Sequence, residues 1–233
     1  MPAPFRQRSP APRPAPPESG IPPGPHAGRL WRDPSSVTCD VLSGRTITRL
    51  THYRGHSHHV AGPAPLWLDG GRRLIIVSDR EGCGNLFVYD FAAATLTQLT
   101  DLRAGDRPED AALLAPDRVA FTYGSLRYEL GLASLRILPV RPATDIAPTT
   151  APIAPLRFSV GESCRAGGRH LLWLARSRTP ARGRHSLALL EAGAPHVPAQ
   201  PQLSPDGSRV IFVRSTAGYT QIYAIETHDL TGG

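Results

Sequence analysis

The chain has 233 residues, 40% of them hydrophobic and 19% charged, which suits one ordinary globular domain with a sizeable core. Its 22 glycines and 25 prolines disfavour a helical bundle and favour short elements joined by turns, and no run approaches the roughly 18 apolar residues of a membrane helix. The net charge of +7 comes from 26 basic residues, all arginine and scattered rather than clustered with aromatics, so it reads as the composition of a GC-rich genome and not as a nucleic-acid surface.

Residues 1–29 hold ten prolines and several arginines but no apolar h-region, which predicts a disordered leader, not a secretory signal, and a cytoplasmic setting. The folded domain is read as 30–233. Cys39, Cys83 and Cys164 are odd in number and outside any C-x-x-C spacing, so neither a disulfide framework nor a cysteine zinc site is expected.

Beyond the leader, Thr46-Ile47-Thr48-Arg49-Leu50-Thr51 is echoed by Thr95-Leu96-Thr97-Gln98-Leu99-Thr100. Between them lie the histidine-rich Arg54-Gly55-His56-Ser57-His58-His59, a short strand near Trp67, a turn at Asp69-Gly70-Gly71, and two strands, Leu74 to Val77 and Asn85 to Tyr89, that predict a hairpin. Leu114-Ala115-Pro116-Asp117 leading into Val119-Ala120-Phe121-Thr122 is a further echo. Residues 139–157 are rich in proline and carry no clear strand pattern.

A second hairpin, Val210 to Val213 and Gln221 to Ile225, repeats the first without a gap at an offset of 136 residues, pairing Trp67 with Leu203, Gly71 with Gly207, Arg73 with Arg209 and Phe87 with Tyr223. A unit of roughly 45 residues with four short strands predicts an all-β chain, a β-propeller with four-stranded antiparallel blades. The length allows about four to five blades, so the ring is small, or incomplete and closed by self-association. Trp67, Phe87, Phe212 and Tyr223, at repeated positions, are read as packing residues, and the turn residues Ser78-Asp79-Arg80 as hairpin chemistry or a binding edge.

Ser204-Pro205-Asp206-Gly207, and Ser78-Asp79-Arg80-Glu81-Gly82 with Asn85-Leu86-Phe87, resemble the blade repeat of TolB-type propellers. The stretch Gly44 to Thr100, with Arg49-Leu50-Thr51, the histidine cluster, Trp67, Ser78-Asp79-Arg80 and Gln98-Leu99-Thr100-Asp101, is similar to the oligogalacturonate lyase family. That resemblance implies a polysaccharide lyase that cleaves pectin-derived oligogalacturonides by β-elimination to unsaturated uronates. It also implies a divalent metal, manganese, and arginines that make the proton α to the carboxylate removable.

His58, His59 and His170 are then candidates for the catalytic histidine, and His56, Arg54 and Arg80 for substrate binding. The family's H-x-H and upstream glutamine positions here hold Pro198, Gln200 and Pro195, which leaves Gln200 and the displaced His196 as candidate metal ligands. No nucleophile elbow and no phosphate-binding glycine loop is present. The alternative function is a non-catalytic module that binds a protein or glycan.

Overall fold

The computed structural model describes residues 20–60, 66–103, 106–140, 158–164, 169–176, 184–190 and 199–231. Of the expected leader, 1–29, residues 1–19 lie outside them, as does most of the proline-rich stretch; residues 20–29 are described and pack on the sheets, with Ile21 bridged to Ile137 and the Gly28 N–H donating to the Gln98 carbonyl at 2.8 Å. Eighteen strands follow in order: β1 (Leu30–Trp31), β2 (Ser36–Cys39), β3 (Thr46–Arg49), β4 (Ser57–His59), β5 (Trp67–Leu68), β6 (Arg73–Ser78), β7 (Asn85–Asp90), β8 (Thr95–Gln98), β9 (Glu109–Ala115), β10 (Arg118–Tyr123), β11 (Leu126–Gly131), β12 (Ile137–Pro139), β13 (Phe158–Cys164), β14 (His170–Arg176), β15 (Arg184–Leu190), β16 (Gln202–Leu203), β17 (Arg209–Thr216) and β18 (Tyr219–Glu226). A single helical turn, α1 (His228–Thr231), closes the described chain, so no helix among the described residues is long and apolar enough to cross a membrane.

The strands form four separate antiparallel sheets. The first holds six strands, β1, β8, β7, β6 and β4 in order with β5 also on β6; the second runs β12-β11-β10-β9, the third β13-β14-β15, and the fourth β16-β17-β18-β3-β2. Among the described residues no sheet closes on itself, and the strand numbers are unequal, so the expected β-propeller of four-stranded blades is corrected to an all-β arrangement of four open sheets. The physical reason is that an internal repeat reports which strands pair locally. It does not count the strands that distant segments add, such as β1 and β4 on the first sheet and β2 on the fourth.

Within the sheets the repeat is exact in register. Ile76 faces Phe87 across β6 and β7, and Phe212 faces Tyr223 across β17 and β18; Trp67 faces Leu74 as Leu203 faces Val210. The echo between residues 46–51 and 95–100 also has a structural meaning, because Phe87 faces Gln98 on β8 and Tyr223 faces Arg49 on β3. Even a side-chain bond is reproduced: the Leu86 N–H donates to Thr100 Oγ1 at 2.9 Å, and the Ile222 N–H donates to Thr51 Oγ1 at 3.0 Å. Thus β3 completes the C-terminal hairpin in the way that β8 completes β6 and β7.

The two hairpins part company at their turns. Between β17 and β18 the ladder runs out to Thr216 and Tyr219, and Ala217 and Gly218, at φ of 51° and 83°, form the two-residue connection that matches strand twist. Between β6 and β7 a six-residue connection containing a 3-10 turn, Arg80–Gly82, takes Arg80 back under the sheet.

Alternation along the strands sets how the sheets stack. On β6, Ile75 and Val77 pack with Val119, Phe121 and Leu130 of the second sheet, whereas Leu74 and Ile76 pack with Ile211, Ile222 and Ala224 of the fourth. The fourth sheet's other face, with Val210, Phe212, Tyr223 and Ile225, covers Leu172, Leu174 and Leu187 of the third. Both faces of the first sheet are therefore buried, which is why Leu74-Ile75-Ile76-Val77 is continuously apolar rather than alternating. Trp67, Phe87, Phe212 and Tyr223 are all buried, in keeping with their reading as packing residues.

Candidate functional site

The β4 strand carries the histidine cluster. Its pairing with β6 sets Ser57 opposite Ser78, His58 opposite Val77 and His59 opposite Ile76, so these histidines belong to a sheet edge and not to a free loop. Just before the strand, the His56 N–H donates to Asp79 Oδ1 and the Asp79 N–H donates to the His56 carbonyl at 3.0 Å. This reciprocal pair fixes the entry of β4 against the β6–β7 turn.

Two adjoining cavities open beside it. The larger, about 730 Å³, is lined by His56, His58 and Val77, by Asp79, Gly82 and Gly84 of the β6–β7 turn, by Asp106, Arg107 and Glu109 at the entry of β9, and by Thr122, Gly124 and Ser125 at the β10–β11 turn. The smaller, about 420 Å³, is lined by His58, His59, Val60, Val77, Arg107, Pro108, Glu109, Gln200 and Gln202. Sheets one, two and four all contribute to these walls.

His56 and His58 stack with ring centroids 5.9 Å apart and planes within 6°. The Thr220 N–H donates to His56 Nδ1 at 3.2 Å, so in the neutral ring the proton sits on Nε2. Burial, the Arg107 charge and His56 together hold the His58 pKa below its ordinary value, leaving an unprotonated imidazole near pH 7. Arg107 is largely exposed, with its Nε 3.5 Å from a Glu109 carboxylate oxygen.

His59 is buried beneath the smaller cavity, and neither ring nitrogen has a hydrogen-bond partner. Burial, with a smaller contribution from His58, pushes its pKa down to about 4. The unfolded chain would titrate near 6.5, so the native state binds fewer protons between these values. Stability from this residue is complete above pH 6.5 and is lost as pH falls towards 4, by about 3 kcal/mol in all; His58 acts in the same direction. Urea midpoints measured at pH 7 and pH 4.5 are expected to fall for the native chain and to fall less for His59→Asn. Equal slopes for both proteins would refute this account.

The other sequence-predicted residues lie elsewhere. Arg80 is buried away from both cavities, where it donates Nη1 to Asp33 Oδ1 at 3.0 Å and Nη2 to Asp33 Oδ2 at 2.8 Å. Trp31, Tyr53 and Phe87 surround its guanidinium at 5.2, 5.2 and 5.4 Å. Such an arginine holds the fold and is closed to a ligand. Arg54 is exposed and lines neither cavity. His170, on β14, pairs through Nδ1 with Glu162 at 2.7 Å, and the other Glu162 oxygen accepts the Ala199 N–H at 2.9 Å. This pair fixes the backbone beside Gln200 but lines neither cavity.

Of the expected manganese ligands, Gln200 lines the smaller cavity and His196 lies outside the described residues. Among the described residues no group of three or more His, Cys, Asp or Glu side chains converges to hold a metal. The metal-binding expectation is corrected accordingly, since one neutral amide oxygen does not make a divalent site. Cys39 and Cys83 are free thiols.

Asp106, Arg107 and Glu109 were not singled out in the sequence, although they enter β9 at a place comparable to the one His56 to His59 hold upstream of β5. The same positional argument applied to the Leu114 echo would have found them.

No protein-family model matches the chain, and no curated protein matches its sequence. Among solved structures, an oligogalacturonate lyase in complex with manganese aligns at a TM-score of 0.64 and 12% identity, covering 89% of this chain and 100% of that one. An oligogalacturonate lyase from Vibrio parahaemolyticus aligns at a TM-score of 0.64 and 10% identity, covering 86% and 98%. At these identities the likeness is one of fold alone.

Proposed function

We propose that the chain binds a uronate-containing oligosaccharide in the His56–His58 cleft and cleaves it by β-elimination, as a diverged relative of the oligogalacturonate lyases. The observation that carries this reading is the placement of His58 and Arg107 on one cavity wall, a candidate base, its pKa held down by burial and by Arg107, next to a cation that can pair with a carboxylate. The fold likeness over most of the chain supports the substrate class.

Arg107 would pair with the uronate carboxylate and so make the proton on the adjacent carbon acidic. His58 takes that proton; the released electron pair forms the carbon–carbon double bond while the bond from the β carbon to the glycosidic oxygen breaks. The imidazolium then returns its proton to the departing oxygen. His56, fixed by Thr220 and stacked on His58, would orient the base. No step is assigned to a metal.

The test is absorbance of the conjugated unsaturated product from uronate disaccharides and trisaccharides, with manganese present so that a missing cation cannot mask a reaction. A flat trace from folded protein on every uronate substrate would refute the lyase. The second reading, a glycan-binding module without catalysis, is favoured by one observation: Glu109 already lies 3.5 Å from the guanidinium that a uronate would need. Binding without product would select it.

Gly84 provides a check on Arg107. A Cβ at this position would lie 2.5 Å from Arg107 Cβ and 3.0 Å from its Cα, so the arginine backbone must move to admit it. Gly84→Ala is expected to lower kcat/KM by about tenfold or more, because misplacement by about 1 Å can cost on the order of 100-fold, and to lower the urea midpoint as well, because the clash falls on the Arg107 backbone and not on a flexible side-chain end. An unchanged kcat/KM would remove Arg107 from the mechanism.

A further inference from the structure

The two cavities share His58, Val77, Arg107 and Glu109, which makes them two chambers of one trough, each within the size range of small-ligand sites. Their charge is unequal to the task of holding a polyanion. Among the described lining residues Arg107 is the one lysine or arginine, and it shares the larger chamber with three carboxylates, those of Asp79, Asp106 and Glu109.

The smaller chamber has a different character. Beside the shared Arg107 and Glu109 its polar lining consists of Gln200, Gln202 and the histidines. Gln202 Oε1 and both ring nitrogens of His59 are buried without hydrogen-bond partners. Uncharged acceptors and donors of this kind match hydroxyl groups, and leaving them unpaired is costly.

We infer that the trough selects an oligosaccharide carrying a single carboxylate next to a neutral sugar, with the uronate on Arg107 and the neutral unit in the smaller chamber. This inference rests on the uronate-binding reading above and narrows its substrate class. A dimer of two uronates brings a second negative charge. In the larger chamber that charge meets Asp79 and Asp106; in the smaller one the described lining residues offer it no cation beyond the arginine already engaged. Like charges brought together in this way discriminate between ligands more than they alter gross affinity.

Isothermal titration of the native chain at pH 7 and low salt with three disaccharides tests the inference: digalacturonate, a galacturonate linked to a neutral hexose, and a dimer of neutral hexoses. The mixed disaccharide is expected to bind about tenfold tighter than digalacturonate, by charge repulsion of the kind that penalises wrong partners. That gap is expected to narrow in high salt, which screens exposed charges, and in Glu109→Gln. Digalacturonate binding as tightly as the mixed ligand, or more tightly, overturns the inference and leaves the uronate-binding reading standing. Equal binding of the neutral dimer, or no binding by any of the three, overturns both.

Discussion

Replacing Asp33 by Asn is expected to destabilise the chain by about 3 kcal/mol or more, the cost of leaving a buried charge without its partner. Arg80 is 1% exposed, and both of its terminal nitrogens are committed to the Asp33 carboxylate. Burial works to raise the Asp33 pKa, but the hydrogen bonds and charge of Arg80 outweigh it and hold the carboxyl below its ordinary value. The pair's contribution is therefore present above the ordinary carboxylate range and fades as pH falls through the lowered pKa. Urea titration at pH 7 provides the measurement. A midpoint shift worth under about 1 kcal/mol would mean that water or the surrounding rings satisfy the arginine alone. The double variant Asp33→Leu, Arg80→Met should recover much of the loss, since an apolar pair of similar volume avoids the desolvation of both ions.

The second large effect concerns chemistry. His58→Gln keeps a polar side chain at the cavity wall but removes the group that can accept a proton, so kcat is expected to fall by about 100-fold or more, the usual contribution of a positioned base. KM should change much less, because Arg107 remains to hold the carboxylate. The pH profile supplies a further check: with the His58 pKa held down by burial and Arg107, activity should persist below pH 6.5 and decline only on further acidification. A variant that retains native turnover would relieve His58 of its role while leaving the cleft as a binding site.

Much of the local structure could be read from residues alone. The offset between the hairpins preserved turn glycines and strand hydrophobes together, and strands that conserve both must conserve register, as Ile76 with Phe87 and Phe212 with Tyr223 show. The echo of Thr46 to Thr51 in Thr95 to Thr100 identified two strands with one job, although nothing in it named the hairpin that each would join. Sheet arrangement was not legible, because β1, β2 and β4 are two to four residues long and too short to carry a period.

The site was legible in part. Clustered histidines flagged His56, His58 and His59, and the structure places all three on the two cavity walls. Arg80 misled because residue type and turn position do not reveal that Asp33, 47 residues upstream, turns it inward. Arg107 went unnoticed because a single arginine among 26 has no distinguishing pattern until Gly84 and the β9 entry bring it beside His58.

The pairing of β18 with β3 also bears on how the molecule is made. The Ile222 N–H meets Thr51 Oγ1 across 171 residues of sequence, and the Gln221 side chain reaches the carbonyls of Tyr53 and Gly55. Ladders between such distant segments close late, since the loop entropy must be met before the contacts return anything. During synthesis β3 emerges early and must wait for β17 and β18, with the apolar side chain of Ile47 uncovered in the meantime. Loss of the segment from residue 209 onward would thus strip the fourth sheet of its centre and uncover Leu74 and Ile76 of the first. Chaperone dependence and aggregation of the nascent chain would be governed by this one late seam.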